Sequence, residues 1–213
     1  MEDCMSTEIT KEIVCPQCGE PQKYRLYSSI NAGENPDLKQ MLLDETLFDW
    51  RCKRCNYFAA MAYPFLYTDP EAGYIVCVTP GGSGNNAEPT EAVKSFTKRS
   101  VKNLAELKEK ILIFDAGYDD TAVELVKNAL CGIIRNTYKV SRVHAYFSRV
   151  DNGEMEFAIF LPQTNEPVYH STKLDVYKQS QEVLRALDFV DPAGFVRVDA
   201  RLARKIIEDY QNI

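Results

Sequence analysis

The chain has 213 residues, 45% of them apolar and 26% charged, and carries a net charge of −6. Such a length and composition suit a globular protein with a sizeable core, and the acidic balance excludes a general basic field for nucleic acid or anionic lipid. No stretch approaches the roughly 20 apolar residues of a membrane span, and no signal peptide is visible at the acidic start, so a cytosolic protein is expected.

Residues 1–10 lack periodicity and are expected to be a disordered leader, with Cys4 a stray thiol in it. Lys11–Val14 and Gln22–Ser29 read as strands on either side of Cys15-Pro16-Gln17-Cys18-Gly19. A second Cys-x-x-Cys follows at Cys52-Lys53-Arg54-Cys55-Asn56. In each, a tight turn brings two thiolates onto one ion, and the residue after the second Cys must enter the left-handed region. Gly does so without penalty, and Asn more readily than most residues. Cys15, Cys18, Cys52 and Cys55 together supply the four sulfurs of a closed tetrahedral zinc site, so one structural Zn²⁺ is expected. Seven cysteines in a reducing compartment read as metal ligands and buried thiols, not as disulfides. Cys77 and Cys131 are expected in the core.

Between the two cysteine turns lie 33 residues, long for a simple zinc ribbon. Pro36–Leu43 reads as a helix with Asn35 as N-cap, Pro36 first, and Leu38, Met41 and Leu42 on one apolar face. Thr46–Arg51 reads as a strand holding the sole tryptophan, Trp50. Tyr57–Tyr67 and Gly73–Thr79 follow as strands across a Pro- and Gly-containing turn. The rings of Tyr57, Phe58, Tyr63, Phe65, Tyr67 and Tyr74 read as the core of a small zinc domain in preference to a stacking platform.

These residues resemble the CpXC domain family of bacterial proteins. The resemblance rests on the Cys-Pro-x-Cys-Gly opening, Ser29-Ile30-Asn31, the Pro36-Asp37-Leu38-Lys39 helix with Leu43, Phe48, the second Cys-x-x-Cys, and Tyr63-Pro64-Phe65-Leu66-Tyr67-Thr68-Asp69-Pro70. It extends to about residue 135. Asn56 stands where the second turn of such domains usually carries Gly. The resemblance implies a fold and a metal-binding cysteine set, and no particular activity.

Residues 80–90, rich in Gly, Ser and Asn, read as a flexible loop. Val101, Leu104, Leu107, Ile111 and Phe114 predict a helix over 101–115, capped by Asn103 with Glu106 three residues on. A second helix starts at Asp119-Asp120-Thr121, with Thr121 and Glu124 at capping-box spacing and Val123, Val126, Leu130 and Ile133 as its apolar face. Asp115, Asp119 and Asp120 read as helix-terminal acids and not as a metal site. Residues 141–161 form a predicted hairpin around Asn152-Gly153, with Val150 opposite Met155, Ser148 opposite Phe157, Tyr146 opposite Ile159 and Arg149 opposite Glu156. A third helix (173–187, with Tyr177, Ser180, Val183, Leu184 and Leu187 inward), a short strand (195–198) and a last helix capped by Asp199, with Leu202, Ile206 and Tyr210 inward, complete the chain. The basic run Arg197, Arg201, Arg204 and Lys205 reads as a solvated helix face, and His144 and His170 as structural.

The expected fold class is α+β: a zinc-ribbon-like β domain with a helical insert, then an α/β segment with a β-hairpin and several helices. The expected division is a leader (1–10), a zinc domain (11–135) and a C-terminal domain (136–213). No phosphate-binding glycine loop, nucleophile elbow or His-Glu-x-x-His is present. The favoured function is a zinc-stabilised binding module for another protein. Its first 80 residues hold 7 Lys and Arg against 12 Asp and Glu. A nucleic-acid partner rests only on Lys53-Arg54 at the turn tip, too few cations for a phosphate track. An enzyme lacks a grouping of nucleophile, base and orienting residue, and a redox sensor that ejects zinc stays open.

Overall fold

A computed structural model describes residues 5–82, 94–162, 164 and 166–213. The fold is α+β, as expected, and divides into two compact units. The first comprises 1–107 with 193–196, the second 108–192 with 197–213. The boundary between these units falls inside the helix Leu104–Asp115. No described helix is long and apolar enough to cross a membrane.

The first unit is built on a five-stranded sheet. Its strands are β1 (Thr7–Val14), β2 (Pro21–Asn31), β5 (Phe65–Asp69), β6 (Tyr74–Val78) and β7 (Thr97–Val101), in that spatial order. β1 starts at Thr7, inside the stretch expected to be disordered, because it pairs antiparallel with β2 along its whole length. Cross-strand hydrogen bonding orders a segment that has almost no buried face of its own. Residues 1–4, with Cys4, lie outside the described residues, as do residues 83–93 of the expected flexible loop.

A separate two-stranded ribbon pairs β3 (Asp49–Arg51) with β4 (Phe58–Ala60). The single strand expected over 57–67 is therefore two, β4 and β5, in different sheets. Pro64 lies between them, and its missing N–H cannot serve a ladder. The strand expected over 46–51 shortens to β3. α1 (Pro36–Leu43) buries Leu38 and Leu42 but leaves Met41 exposed. Asn35 sits at its N-cap without a side-chain bond to the helix. The Asn31 side chain instead accepts from the Gly33 and Glu34 N–H groups ahead of the helix. Phe48, Phe65, Tyr67 and Tyr74 are buried, so the ring-filled core is found, although Phe58 is exposed.

α2 (Leu104–Asp115) carries the expected cap: the Glu106 N–H donates to Asn103 Oδ1 at 2.8 Å, and Glu106 Oε2 accepts from the Lys102 N–H at 2.8 Å. In the second unit, β8 (His144–Asp151), β9 (Glu154–Phe160) and β10 (Val168–Lys173) form an antiparallel sheet in the order β10-β9-β8. α3 (Asp120–Tyr138), α4 (Leu174–Ala186) and α5 (Ala200–Gln211) contribute the helical side of its core. The strand β10 is an addition to the sequence reading, while 195–198 yields only a single bridge between Arg99 and Val196.

The hairpin register corrects the expectation on one side of a bulge. Val150 opposes Met155 and Arg149 opposes Glu156 as predicted, but the register shifts between Phe147 and Arg149. Phe147 then faces Phe157, and Ala145 faces Ile159. One extra residue, Ser148, swaps the two faces of the strand before it, so Ala145 and Phe147 are buried while Tyr146 is not. His144 consequently lies exposed.

Asp199 caps α5 as expected, whereas α3 is capped by Asp119 and not by the expected Thr121–Glu124 box, because Glu124 turns to Lys127. Asp119 accepts from the Thr121 and Ala122 N–H groups, and Asp199 from those of Arg201 and Leu202. Ile133 and Tyr210, expected inward, are exposed. Polar groups occupy part of the buried space instead. Lys127 Nζ binds Glu109 at 2.8 Å and Glu124 at 2.7 Å, and Lys110 Nζ binds Asp120 at 2.7 Å. Glu109 Oε1 also accepts the Phe147 N–H at 2.8 Å.

Candidate metal centre

Each Cys-x-x-Cys forms the bend of an antiparallel hairpin, the first between β1 and β2 and the second between β3 and β4. The two bends share one backbone hydrogen-bond pattern. The Gly19 N–H donates to Cys15 O at 2.9 Å and the Asn56 N–H to Cys52 O at 2.9 Å. The Cys15 N–H then reaches Glu20 O at 3.0 Å, and the Cys52 N–H reaches Tyr57 O at 2.8 Å. Gly19 (φ 73°) and Asn56 (φ 59°) both occupy the left-handed region, as the sequence demanded. Asn56 thus holds the turn that Gly holds in the first hairpin.

The four sulfurs lie within 4.8 Å of one another. Cys15 Sγ and Cys55 Sγ are 3.6 Å apart, and Cys18 Sγ and Cys52 Sγ 3.7 Å. Metal–sulfur bonds of about 2.3 Å give a tetrahedron with edges of roughly 3.8 Å, so the donor set fits one ion. All four cysteines are free thiols rather than disulfides. Cys15 and Cys52 are buried and Cys18 and Cys55 half-buried. Trp50 packs with Cys15 and Cys52, and Ile13, Tyr24, Tyr57, Ala59 and Met61 surround them.

The electrostatics of the bare cluster point the same way. Burial opposes ionisation of Cys52, yet the Cys55 and Arg54 N–H groups and hydrogen bonds with Cys15 and Cys55 draw its thiol down to about 6. At Cys55 a hydrogen bond with the Tyr57 backbone favours the thiolate, but burial and the three other thiols push it up to about 12. Four sulfurs at this spacing cannot all ionise unless a cation takes up their charge.

One contributor escapes the sequence reading. Gln22, on β2, donates from Nε2 to Cys52 Sγ at 3.3 Å, and its Oε1 accepts the Lys53 N–H at 3.3 Å. The signal was present in Gln22-Lys23-Tyr24-Arg25-Leu26: Gln22 shares the inward-facing set with Tyr24 and Leu26, a polar residue where alternation asks for an apolar one. At the turn tips, Arg54 pairs with Glu20 at 3.0 Å, in solvent.

The remaining residues weighed from the sequence lie elsewhere. Cys77 is in β6 and Cys131 in α3, and burial raises both thiols. Asp120 is buried against Lys110, whereas Asp119 is a cap. His170 in β10 turns an edge to Tyr138, ring centres 6.3 Å apart, and its Nε2 is buried without a hydrogen-bond partner among the described residues. Arg197 pairs with Asp199 and Lys205 with Asp209. Among the described residues, the four cysteines are the one grouping with metal-ligand geometry.

The family model described as CpXC protein matches residues 13–127. No curated protein and no solved structure matches the chain.

Proposed function

The chain belongs to the CpXC family, and we propose that it is a zinc-stabilised binding module of the bacterial cytosol whose partner is another protein. The observation carrying this reading is the closed cluster of four cysteine sulfurs. Soft thiolates in a tetrahedral set favour Zn²⁺ among common divalent ions. Cys15, Cys18, Cys52 and Cys55 would hold it, and with every coordination position filled by sulfur it would act as a structural clamp. Catalytic zinc sites usually keep a position open for water. The acidic balance of the first 80 residues favours a protein partner over a polyanion.

The metal claim is checked by elemental analysis together with cobalt substitution. One zinc per chain is expected, and the cobalt form should show intense thiolate charge-transfer bands that azide leaves unchanged. Iron in place of zinc, or a spectrum shifted by azide without metal loss, would overturn the structural-zinc reading. The partner claim is checked by affinity capture under reducing conditions with and without chelator. A specific protein lost on chelation supports it, and capture of nucleic acid instead refutes it.

A further inference from the structure

We propose that Gln22 is a positioning residue of the metal centre, whose side-chain amide neutralises charge on the Cys52 sulfur and slows release of the ion. This deepens the zinc reading above and rests on it. Four thiolates around Zn²⁺ leave a net charge near −2 by simple counting, and hydrogen-bond donors aimed at sulfur spread that charge. Cys52 is wholly buried, so its donors must come from the protein. Backbone N–H groups of Arg54 and Cys55 supply two, and Gln22 Nε2 supplies a third at 3.3 Å.

The chemistry at the two ends fixes the orientation of the amide. The Lys53 N–H can only donate, so it requires the oxygen end of Gln22, which it meets at 3.3 Å. A metal-bound thiolate can only accept, so it requires the NH₂ end. The reversed amide would set oxygen against sulfur and N–H against N–H. A glutamine satisfies both neighbours at once; a glutamate satisfies only the Lys53 N–H and places a carboxylate beside the thiolate.

The position matters as much as the group. Gln22 pairs with Ile13 across the first hairpin, on the exit strand of the first cysteine turn, yet its two bonds go to the second turn. It therefore ties the second Cys-x-x-Cys to the strand that carries the first, and both turns must part before the ion leaves. Partners one shell out from the metal typically change its affinity by about 10–100-fold.

The test compares wild type, Gln22→Glu and Gln22→Met, each loaded with zinc and with ¹¹³Cd. Gln22→Glu keeps the acceptor and the length, whereas Gln22→Met keeps the length alone. Transfer of zinc to a chromophoric chelator should speed up at least about tenfold in both variants. The ¹¹³Cd resonance should move in both while far-ultraviolet circular dichroism stays the same. Release within twofold of wild type would overturn the inference. Faster release with an unmoved ¹¹³Cd resonance would also overturn it, since Gln22 would then act through β2 and not on the sulfur. Wild-type protein that takes up neither metal would sink the zinc reading and this inference together, whereas wild type that holds metal beside indifferent variants sinks the inference alone.

Discussion

The cysteine cluster of the first unit and the ion network of the second bury charge in opposite ways. The first gathers four thiols around a point, and no ion pair among the described residues includes them, so a countercharge for their thiolates would come from solution. The second sets Lys127 between Glu109 and Glu124 and Lys110 against Asp120, so its countercharges are built into the chain. Their apolar surroundings differ to match. The cysteine cluster has one buried residue beside its own sulfurs, Trp50, whereas the second unit encloses Phe147, Met155, Phe157 and Ile159 among its helices. A region with so little apolar burial would depend on a bound ion, and a region with a full core tolerates charge only when it is paired.

The sharpest way to break this comparison is to take the ion away. Apparent binding free energies for structural zinc in small sites are about 10–16 kcal/mol, and that energy is folding energy. Cys52→Ser, or chelation of the native protein, should expose the backbone of β1–β2 near the first turn and of β3–β4 to rapid hydrogen exchange. β8, β9 and β10 should keep their protection. Simultaneous loss of protection in both units would show that they do not differ in the way described.

The second unit should fail by an internal cut. Lys127→Met removes the cation between two carboxylates that are 3% and 5% exposed, leaving them to repel each other in a poorly solvated space. Removing one partner of a buried ion pair costs about 3–5 kcal/mol. A matching fall in urea-unfolding free energy is expected, with zinc content unchanged. A loss below about 1 kcal/mol would mean that water reaches the carboxylates and that the network is equivalent to a surface one.

Legibility in the sequence follows the same divide. The two cysteine turns could be read because their requirements are local: two Cys at fixed spacing and a residue that accepts positive φ. The helix caps at Asn103, Asp119 and Asp199 are local too, and were legible for that reason. The ion network was not, since Glu109 and Lys127 are ordinary residues of two amphipathic helices until folding sets them face to face. The bulge at Ser148 eluded the strict alternation that made the hairpin visible, because one inserted residue leaves the pattern apolar on whichever face is counted. The same alternation placed β10 and β7 below notice: Val168–Lys173 and Thr97–Val101 are polar strands whose pairing comes from neighbours distant in sequence. Gln22 was readable in principle, yet its partner Cys52 lies 30 residues away.

The smallest effect separates the units by pH. Glu124 is held above its usual carboxylate range chiefly by burial; Lys127 pulls it down, and Glu109 pushes it up again. Its folded pKa therefore exceeds its unfolded value, so the folded state binds the proton more tightly. The stability this contributes is fully present below the unfolded value of 4.5 and is lost as pH rises through the folded value. Glu124→Gln carries no titrating proton, keeps the shape and retains a carbonyl to accept from Lys127. Between pH 4.5 and neutrality the difference in unfolding free energy between variant and wild type should shift in the variant's favour. Urea titrations of the zinc-loaded protein at several pH values, followed through probes in β8–β9, measure it directly. Parallel curves for the two proteins would place Glu124 as a fully ionised member of the Lys127 pair in both states, and the second unit would then hold two buried carboxylates on one lysine without relief from a proton.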